Sequence, residues 1–415
     1  MVWFLYGKTY DFTEYISHHP GGSTILKNTE NQKDITALFE NFHSFSSKNK
    51  NHFITRLQNY EIKYYDHDHE KTREFDFINY NKLVDKIRPF FPTRTSIKAP
   101  FEWYIQNIFT TGLYILCFYY AMFSNIELLY KCIFAQISGL CYISIGFNVF
   151  HDASHYAIST IPTVNQVLAK LWASWGLWNS DIWFYHHVVN HHSFTGLEKL
   201  DPDLYHLGIF ATKTDISTTN KKKKPLLINN SEYLPIITVL LPGMYIGQSL
   251  SYMISSYKNR LFRYCILPKT SFYDFIDIGC ILLNLYSLYN GWYLPTMNYI
   301  LALNFWYFIN IAFDHDTYES NVENHYSGND WLKMQICHSG NFLNNYLWWT
   351  RIFGSINYQI EHHLFPNISS YHYPKIAPIV REFCKDNNIP YTHHSTISSA
   401  YSSYLKMLKY RNQSQ

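Results

Sequence analysis

Residues 128–155 read LLYKCIFAQISGLCYISIGFNVFHDASH. Positions 128–150 contain one charged side chain, that of Lys131, and the stretch is long enough for the ~20 apolar residues that cross a bilayer core. His151 and His155 follow directly, and side chains four positions apart share one face of a helix. The stretch therefore predicts a membrane-spanning helix that ends in a pair of metal-binding histidines.

Two further histidine motifs follow this first one: HVVNHH at 187–192 and QIEHH at 359–363. His186 precedes the second motif, and we prefer the register that begins at His187. Imidazole is a ligand for iron, copper and zinc alike. Seven imidazoles exceed what one metal ion can hold, so the motifs predict two metal ions. The predicted ligands are His151, His155, His187, His191, His192, His362 and His363.

Other apolar stretches predict how the chain crosses the membrane. Residues 101–123 pair with the quoted stretch as one hairpin, and 275–293 with 297–313 as a second. All three motifs can share one face only if an even number of crossings separates the second motif from the third. We therefore exclude 234–254, which prolines and glycines interrupt, and predict four crossings. Residues 164–184 are aromatic but carry polar and charged side chains, which favours an interfacial helix.

Four more side chains are candidates near the metal ions. His315 follows the fourth predicted crossing and is a candidate eighth histidine ligand. Gln359 stands where a histidine would complete an H-x-x-H-H motif, and its amide oxygen is a weak ligand, directly or through water. Asp152 and Glu361 adjoin motif histidines and are expected to support the ligands from a second layer.

The composition agrees with a metal-binding membrane protein. Among 415 residues, 19% are aromatic, 21 are histidine, and 16% are charged, against a typical charged share of about 25%. A net charge of +3 does not favour nucleic-acid binding, and 47% hydrophobic residues argue against disorder. The seven cysteines lack C-x-x-C spacing, which favours a reducing compartment. The first residues lack the pattern of a signal peptide, so we expect the N-terminal part in the cytosol.

A separate pair of histidines lies near the N-terminus. His19 opens the sequence HPGG at 19–22, whose glycines allow a tight turn beside a large planar ligand. His43 follows in NFHS at 41–44. Two axial histidines fill both open positions of a haem iron and leave none for oxygen, so such a centre carries electrons. We predict that His19 and His43 are the axial ligands of a b-type haem.

Residues 2–62, with these two histidines and the upstream VW and GKTYDFT sequences, resemble a cytochrome b5 domain. The resemblance implies a small α+β domain, to which we assign residues 1–65. Residues 66–100 are then a linker, and 101–415 the membrane domain.

The three motifs resemble those of the membrane fatty acid desaturases, and more narrowly those of the front-end desaturases with an N-terminal cytochrome b5 domain. The glutamine that opens the third motif is typical of the front-end group, and similarity continues in DPD at 201–203 and HYPKIAP at 372–378. The second motif and its flank are most similar to Δ5-type acyl desaturases. Enzymes of the Δ4, Δ6 and Δ8 acyl types, and sphingolipid Δ8 enzymes, share the layout.

The resemblance implies an α-helical membrane protein with four transmembrane helices, interfacial helices and a cytosolic cap of histidine motifs. It implies two iron ions that use O2 to remove hydrogen from adjacent methylenes of a lipid acyl chain. Electrons would come through the haem from an NADH- or NADPH-dependent cytochrome b5 reductase. The expected location is the endoplasmic reticulum, with the haem domain and the motifs facing the cytosol.

Other interpretations of the same residues stay open. A di-iron hydroxylase or an acetylenase has the same cofactors and a different product. A zinc-dependent membrane lipid hydrolase has similar ligands but no use for a haem domain. A non-catalytic haem-carrying anchor would not need three intact motifs. The residues do not decide between acyl-CoA, phospholipid and sphingolipid substrates.

Overall fold

The computed structural model describes residues 2–32, 34–45, 50–62, 74–197, 200–205, 260–261, 265–266 and 273–413. The described part is mostly helical. The apolar stretch 234–254 and residues 66–73 of the predicted linker lie outside it.

The N-terminal domain combines a hairpin with short helices. Strands β1 (Trp3–Leu5) and β2 (Lys8–Tyr10) pair antiparallel, and the turn between them has positive φ at Tyr6 and Gly7, as tight hairpin turns require. Helices α1 (Ser23–Thr29), α2 (Thr36–His43) and α3 (Lys50–Gln58) follow. The buried Trp3 ring donates its Nε1–H to the carbonyl oxygen of Leu26 at 2.9 Å, which fixes the hairpin against α1.

Part of the predicted linker is built into the core. Helix α4 (Ile78–Ile87) buries the side chains on one face, and Tyr80 and Leu83 are completely buried. The Tyr80 ring packs edge-on against Trp331 at 5.1 Å and lies parallel to Phe365 at 5.8 Å between ring centroids. These contacts join α4 to the segment that contains the third histidine motif.

The quoted stretch forms a helix that enters the first motif without a break. Helix α5 (Phe101–Met122) precedes α6 (Leu128–Ile145), and the two pack side by side. Helix α6 continues through a π-helical turn at Gly146–His151 into α7 (Asp152–Ser154).

The next segments hold the second motif. They are α8 (Pro162–Trp175), α9 (Ser180–Trp183), a π-helical segment at Phe184–His191, α10 (His192–Phe194) and a 3₁₀ turn at Pro202–Tyr205. The Lys170 ammonium on α8 lies 2.7 Å from the Asp274 carboxylate and 3.2 Å from that of Asp277. These ion pairs attach α8 to the start of the helix that begins at Phe275.

The rest of the described chain carries the third motif. After the short pair β3 (Arg260–Leu261) and β4 (Cys265–Ile266) come α11 (Phe275–Asn290), α12 (Leu294–Ile311), a π-helical turn at Glu319–Glu323, α13 (Trp331–Cys337), β5 (Asn341–Phe342), α14 (Leu347–Ile352), α15 (Gln359–Leu364), α16 (Tyr373–Asp386), β6 (His393–His394) and α17 (Ile397–Gln413). Strands β5 and β6 are parallel partners.

Within the described ranges, one helix is both long and apolar enough to cross a membrane, the 27-residue run Leu128–Ser154. Helix α5 has 22 residues, but side chains such as Gln106 and Asn107 make it less apolar. Helix α11 is apolar but has only 16 residues. The crossing expected from the quoted stretch has the required helix, whereas the total of four crossings stays a prediction.

Candidate metal centres

The first cluster draws on all three histidine motifs. His151, His155, His187 and His362 each offer one ring nitrogen, and these four nitrogens lie within 4.8 Å of one another. His151 Nε2 is 3.0 Å from His187 Nε2, and the ring centroids of His151 and His362 are 4.4 Å apart. Since metal–imidazole bonds are about 2 Å long, this spacing suits four nitrogens around one ion.

The second cluster includes the residue predicted outside the motifs. His315 Nε2 lies 3.2 Å from His191 Nε2 and 3.0 Å from His363 Nε2. The Gln359 amide is beside them, with its nitrogen 2.8 Å from His315 Nε2 and 3.2 Å from His363 Nε2. Its Oε1 is buried without a hydrogen-bond partner among the described residues. A half-turn of the amide points that oxygen at the same nitrogens. The cluster thus offers three imidazoles and an amide.

Neighbouring residues of one motif serve different clusters. The second motif begins in a π-helical segment, whose turn is wider than that of an α-helix. His187 joins the first cluster and His191 the second. His192 lies between the clusters, because its Nε2 is 3.2 Å from His187 Nε2 and it also groups with His362 and His363. His187 and His191 still lie side by side, with ring centroids 5.4 Å apart, but they meet different histidines from the other segments.

The protonation chemistry of the rings suits a metal. Burial, reinforced by neighbouring imidazoles, lowers the pKa of His187, His192, His362 and His363 well below the usual range. Neutral rings keep a lone pair for a metal ion. Both ring nitrogens of His155 and Nε2 of His362 are buried without a hydrogen-bond partner among the described residues. Bonds to a metal would satisfy such nitrogens.

His191 differs from the other rings because two carboxylates lie behind it. Burial acts to lower its pKa, but Asp203 and Asp201 outweigh this and raise the pKa to about 9. The ring donates its Nδ1–H to Asp201 Oδ1 at 2.9 Å. A carboxylate in that position fixes the tautomer that presents Nε2 to the metal and makes the imidazole a stronger ligand. His186, which directly precedes His187, hydrogen-bonds Asp203 and belongs to neither cluster.

Two other supports of the clusters, Gln335 and His338, come from segments far from the motifs in the sequence. Gln335 accepts from His363 Nδ1 at 2.8 Å and donates to the backbone oxygen of His192 at 2.9 Å. The carbonyl oxygen of His338 accepts from His315 Nδ1 at 2.8 Å. Sequence reasoning missed Gln335 and His338 as supports because nothing in their spacing links them to the motifs. The sequence did indicate Asp201, because this residue begins the DPD sequence after the second motif.

Asp152 and Glu361 support the motifs through other partners. The Asp152 carboxylate accepts from the backbone N–H of Ser370 at 3.1 Å and from its hydroxyl at 2.9 Å. This ties the first motif to the segment after the third. Glu361 accepts from the Asn341 amide at 2.8 Å and from the Tyr391 hydroxyl at 2.8 Å, and burial raises the pKa of Glu361 to about 7. Both residues thus hold the motifs in position.

His19 and His43 face each other in the N-terminal domain, with ring centroids 6.4 Å apart. His43 donates its Nδ1–H to the oxygen of Phe39 at 2.8 Å, and His19 Nδ1 to that of Gly22 at 3.1 Å, so each Nε2 is free for a metal. Burial lowers the pKa of both rings, that of His43 to about 4. A Cβ on Gly21 would stand 2.7 Å from His19 Cε1, which explains the glycine. The pair suits one haem iron.

An apolar cavity of about 240 Å³ reaches the clusters. Aromatic and aliphatic side chains together form much of its wall, and metal-cluster histidines form one part of it. Among the lining residues are Tyr142, Phe150, Trp172, Trp178, Trp183, Tyr307, His151, His187, His191 and His315. A narrow apolar space that opens on metal-binding histidines suits a hydrocarbon chain.

Matches to known protein families agree with a metal site and a haem site in separate domains. Residues 129–395 match the family described as fatty acid desaturase. Residues 1–66 match the cytochrome b5-like heme/steroid binding domain. The first match contains all three motifs and His315, and the second contains His19 and His43.

Several relatives are similar over nearly the whole chain. An acyl-lipid (8-3)-desaturase of Mortierella alpina is 26% identical, with 97% of this chain and 92% of the relative covered. A Delta(5) fatty acid desaturase A of Dictyostelium discoideum is 27% identical, with 97% and 88% covered. A Delta(8)-fatty-acid desaturase 2 of Arabidopsis thaliana is 23% identical, with 93% and 84% covered. The chain therefore belongs to the fatty acid desaturase family, a family of membrane-bound iron oxidoreductases, and it carries a fused cytochrome b5-like haem domain.

Proposed function

We propose that the chain is an O2-dependent front-end desaturase that acts on a polyunsaturated fatty acyl chain, at the Δ5 position. The new double bond forms between an existing one and the carboxyl end. Two C–H bonds break, and their hydrogens leave as two protons and two electrons. One O2 accepts these two protons and two electrons together with two further protons and two further electrons. It is thereby reduced to two water molecules. The observation that carries the proposal is the meeting of two histidine clusters with an apolar cavity.

Each cluster holds one iron ion. The first uses His151, His155, His187 and His362, the second uses His191, His315, His363 and Gln359, and His192 stands between them. Bound iron supplies the oxidising power that hydrogen removal from an unactivated methylene needs. The largely nitrogen donor set favours iron over magnesium or calcium, which prefer oxygen ligands.

The cavity walls hold the substrate and exclude water. Trp178 and Trp183 pack against each other with ring centroids 5.3 Å apart, and the Trp183 ring stacks on His187 at 4.4 Å. Phe150 adds a ring contact to Trp183 at 5.4 Å. Rigid rings next to the ligands fix which methylene groups of the acyl chain lie beside the clusters. The contour of this wall sets the position of the double bond.

Four helices, α5, α6, α11 and α12, cross the membrane. Large apolar side chains on their outer faces support this: Ile108 is 72% exposed, Leu129 67% and Leu282 60%. Exposed apolar faces of this kind favour contact with lipid. Four crossings place the motifs and the haem domain on one side, which we assign to the cytosolic face of the endoplasmic reticulum.

His19 and His43 would hold a haem, which would supply single-electron transfer to the metal clusters. A haem held by both His19 and His43 would have no position left for O2 and would serve electron transfer. The donor is an NADH- or NADPH-dependent cytochrome b5 reductase. Fusion of the haem domain to the membrane domain raises the effective concentration of the electron donor at the metal clusters.

The experiment that tests this function uses the purified chain in lipid nanodiscs with a cytochrome b5 reductase, NADH and a polyunsaturated acyl substrate. We expect iron in the chain, one O2 consumed for each double bond formed, and no product without NADH. A hydroxylated product would replace the proposal with a lipid hydroxylase. Zinc in place of iron, with release of fatty acid and no NADH requirement, would replace it with a zinc hydrolase.

A further inference from the structure

The haem domain is packed against the membrane domain by the segment that follows the haem ligand His43. Phe45 is 6% exposed, and its ring lies 6.1 Å from that of Phe91 and 5.9 Å from that of Phe365. Phe91 belongs to the segment after α4, and Phe365 follows the third histidine motif by two residues. Phe45 is therefore part of the core of the other domain.

A cation fixes the same segment. The Arg88 guanidinium donates to the backbone oxygen of Ser44 at 2.6 Å and lies 6.0 Å from the centre of the Phe45 ring. Among the described residues, Lys86, two residues before Arg88, does not contact this segment. Its ammonium lies 3.7 Å from the Asp386 carboxylate and 5.6 Å from the centre of the Phe383 ring. Arg88 and Lys86 are thus two close cations, of which Arg88 contacts the haem domain.

The side of the haem domain that bears His19 is also in contact. A Cβ placed on Gly22 would stand 3.1 Å from Cβ of Pro162 at the start of α8. The Asn28 side chain hydrogen-bonds the Asp181 carboxylate. The segments next to both haem ligands therefore touch the membrane domain, and the haem domain is fixed at two separate places.

One ring contact lies between the proposed haem site and the first metal cluster. Phe42, next to the haem ligand His43, meets Tyr156 with ring centroids 6.0 Å apart and planes at 73°. Tyr156 in turn directly follows His155 of the first metal cluster. The Tyr156 backbone oxygen accepts from the buried Lys98 ammonium at 2.7 Å, and its hydroxyl accepts from the Gln166 amide at 3.1 Å, so the ring is held in place.

We propose that the haem domain is docked in the position from which it reduces the iron site, with Phe45 and Arg88 as its anchor and the Phe42–Tyr156 ring pair as the bridge between the two centres. The inference rests on the proposed function for its direction of electron flow. Each transfer would take one electron from a reduced haem held by His19 and His43 and deliver it to metal bound by the histidine clusters. Two transfers supply the two electrons that O2 requires beyond those of the acyl chain, and the reductase restores each from NADH.

The first test uses full-length Arg88→Ala, with Lys86→Ala as the matched control. The haem of each purified protein is reduced with NADH and reductase, then mixed with O2 and acyl substrate while haem absorbance is followed. We expect all proteins to keep the haem spectrum and the rate of haem reduction. Haem reoxidation should slow by about tenfold or more in Arg88→Ala, as local concentration falls on undocking, and stay unchanged in Lys86→Ala. An unchanged reoxidation rate in Arg88→Ala would contradict the anchor.

The bridge is tested at Tyr156 by the same reoxidation measurement. Tyr156→Phe keeps the ring and loses the hydroxyl, whereas Tyr156→Leu loses the ring. We expect Tyr156→Phe to reoxidise its haem at the normal rate and Tyr156→Leu to do so more slowly, with the iron content of both unchanged. Equal rates in the two variants would overturn the bridge.

A disulfide tests the docked position without any turnover. In Gly22→Cys combined with Pro162→Cys the two Cβ atoms would stand 3.1 Å apart, closer than the about 3.5–4.5 Å of a disulfide, and φ at Gly22 is +93°, so the loop must shift slightly to form the bond. We expect an oxidised cross-link in the double variant and none in either single variant. Reactive thiols that do not join would refute the docked arrangement. Absence of any desaturated product from the parent protein would instead refute the proposed function, and the cross-link would still report on docking.

Discussion

His315 Nε2 lies 3.0 Å from His363 Nε2, although His315 belongs to none of the three histidine motifs. The ring is oriented by its own hydrogen bond, from Nδ1 to the backbone oxygen of His338 at 2.8 Å. Burial, followed by the charge of His191, lowers the pKa of His315 to about 4, so the ring is neutral and able to bind a metal. This residue completes the second cluster.

The first prediction concerns that ligand. His315→Ala should reduce desaturation to background and lower the iron content from two ions per chain towards one, with the haem spectrum unchanged. Metal analysis and haem absorbance measure both effects. His325→Ala is the matched control, because His325 contacts His338 but belongs to neither cluster. Full activity and two iron ions in His315→Ala would remove this residue from the site.

The carboxylate behind His191 provides the second prediction. Asp201→Asn keeps the size of the side chain but removes the charge that holds the His191 Nδ1–H at 2.9 Å. We expect activity or iron affinity to fall by about 10- to 100-fold. Asp386→Asn is the control, since its carboxylate is half-exposed and pairs with Lys86. Iron titration of both purified variants makes the measurement, and equal affinities would mean that Asp201 does not support the ligand.

The third prediction distinguishes the haem site of the N-terminal domain from the metal clusters of the membrane domain. His43→Ala should remove the haem absorption band while iron remains bound to the membrane domain. His363→Ala should do the reverse, abolishing desaturation with an intact haem spectrum. The neighbour of the other axial ligand, His18, is exposed, so His18→Ala should change neither. Loss of haem absorption in His363→Ala would contradict two independent centres.

The fourth prediction concerns substrate length. Tyr142 and Gly176 both line the cavity, and a Cβ on Gly176 would overlap the Tyr142 hydroxyl. Tyr142 precedes His151 by nine positions on one helix, or about 13 Å at 1.5 Å per residue. Gly176→Ala should therefore narrow the cavity away from the metal and disfavour longer acyl chains by about tenfold.

Competition between C18 and C20 substrates measures this preference. Gly112→Ala is the control, because nothing lies within 4 Å of a Cβ added there. An unchanged ratio of products in Gly176→Ala would show that the acyl chain does not reach Tyr142.

The sequence allowed the site to be predicted better than its supports. Histidine motifs are short and local, so spacing grouped His151 with His155, while the HPGG sequence and the resemblance to a cytochrome b5 domain paired His19 with His43. The division of the second motif between two clusters depends on which histidines distant segments bring to it, such as His151 beside His187 and His315 beside His191. Gln335 was missed because its contacts with His192 and His363 arise only when distant segments pack together.

For the membrane domain, the sequence predicts one helix well and the number of crossings poorly. The quoted stretch predicts its helix because Lys131 is the single charge in its apolar run at 128–150, and the structure has that helix at Leu128–Ser154. Helices such as α5 mix apolar side chains with tyrosine and amides, so composition alone does not decide whether they cross. The linker was also only partly predictable, because the burial of Tyr80 depends on its contacts with Trp331 and Phe365.

The most direct test of front-end desaturation is a lipid profile of yeast that expresses the chain and is fed C18 and C20 polyunsaturated acids. Mass spectrometry locates each new double bond, with His363→Ala as the inactive control. The account predicts a new bond between an existing double bond and the carboxyl end, at Δ5, and none in the control. A hydroxylated acid, an altered long-chain base alone, or no new lipid from a protein loaded with iron and haem and coupled to its reductase would contradict it.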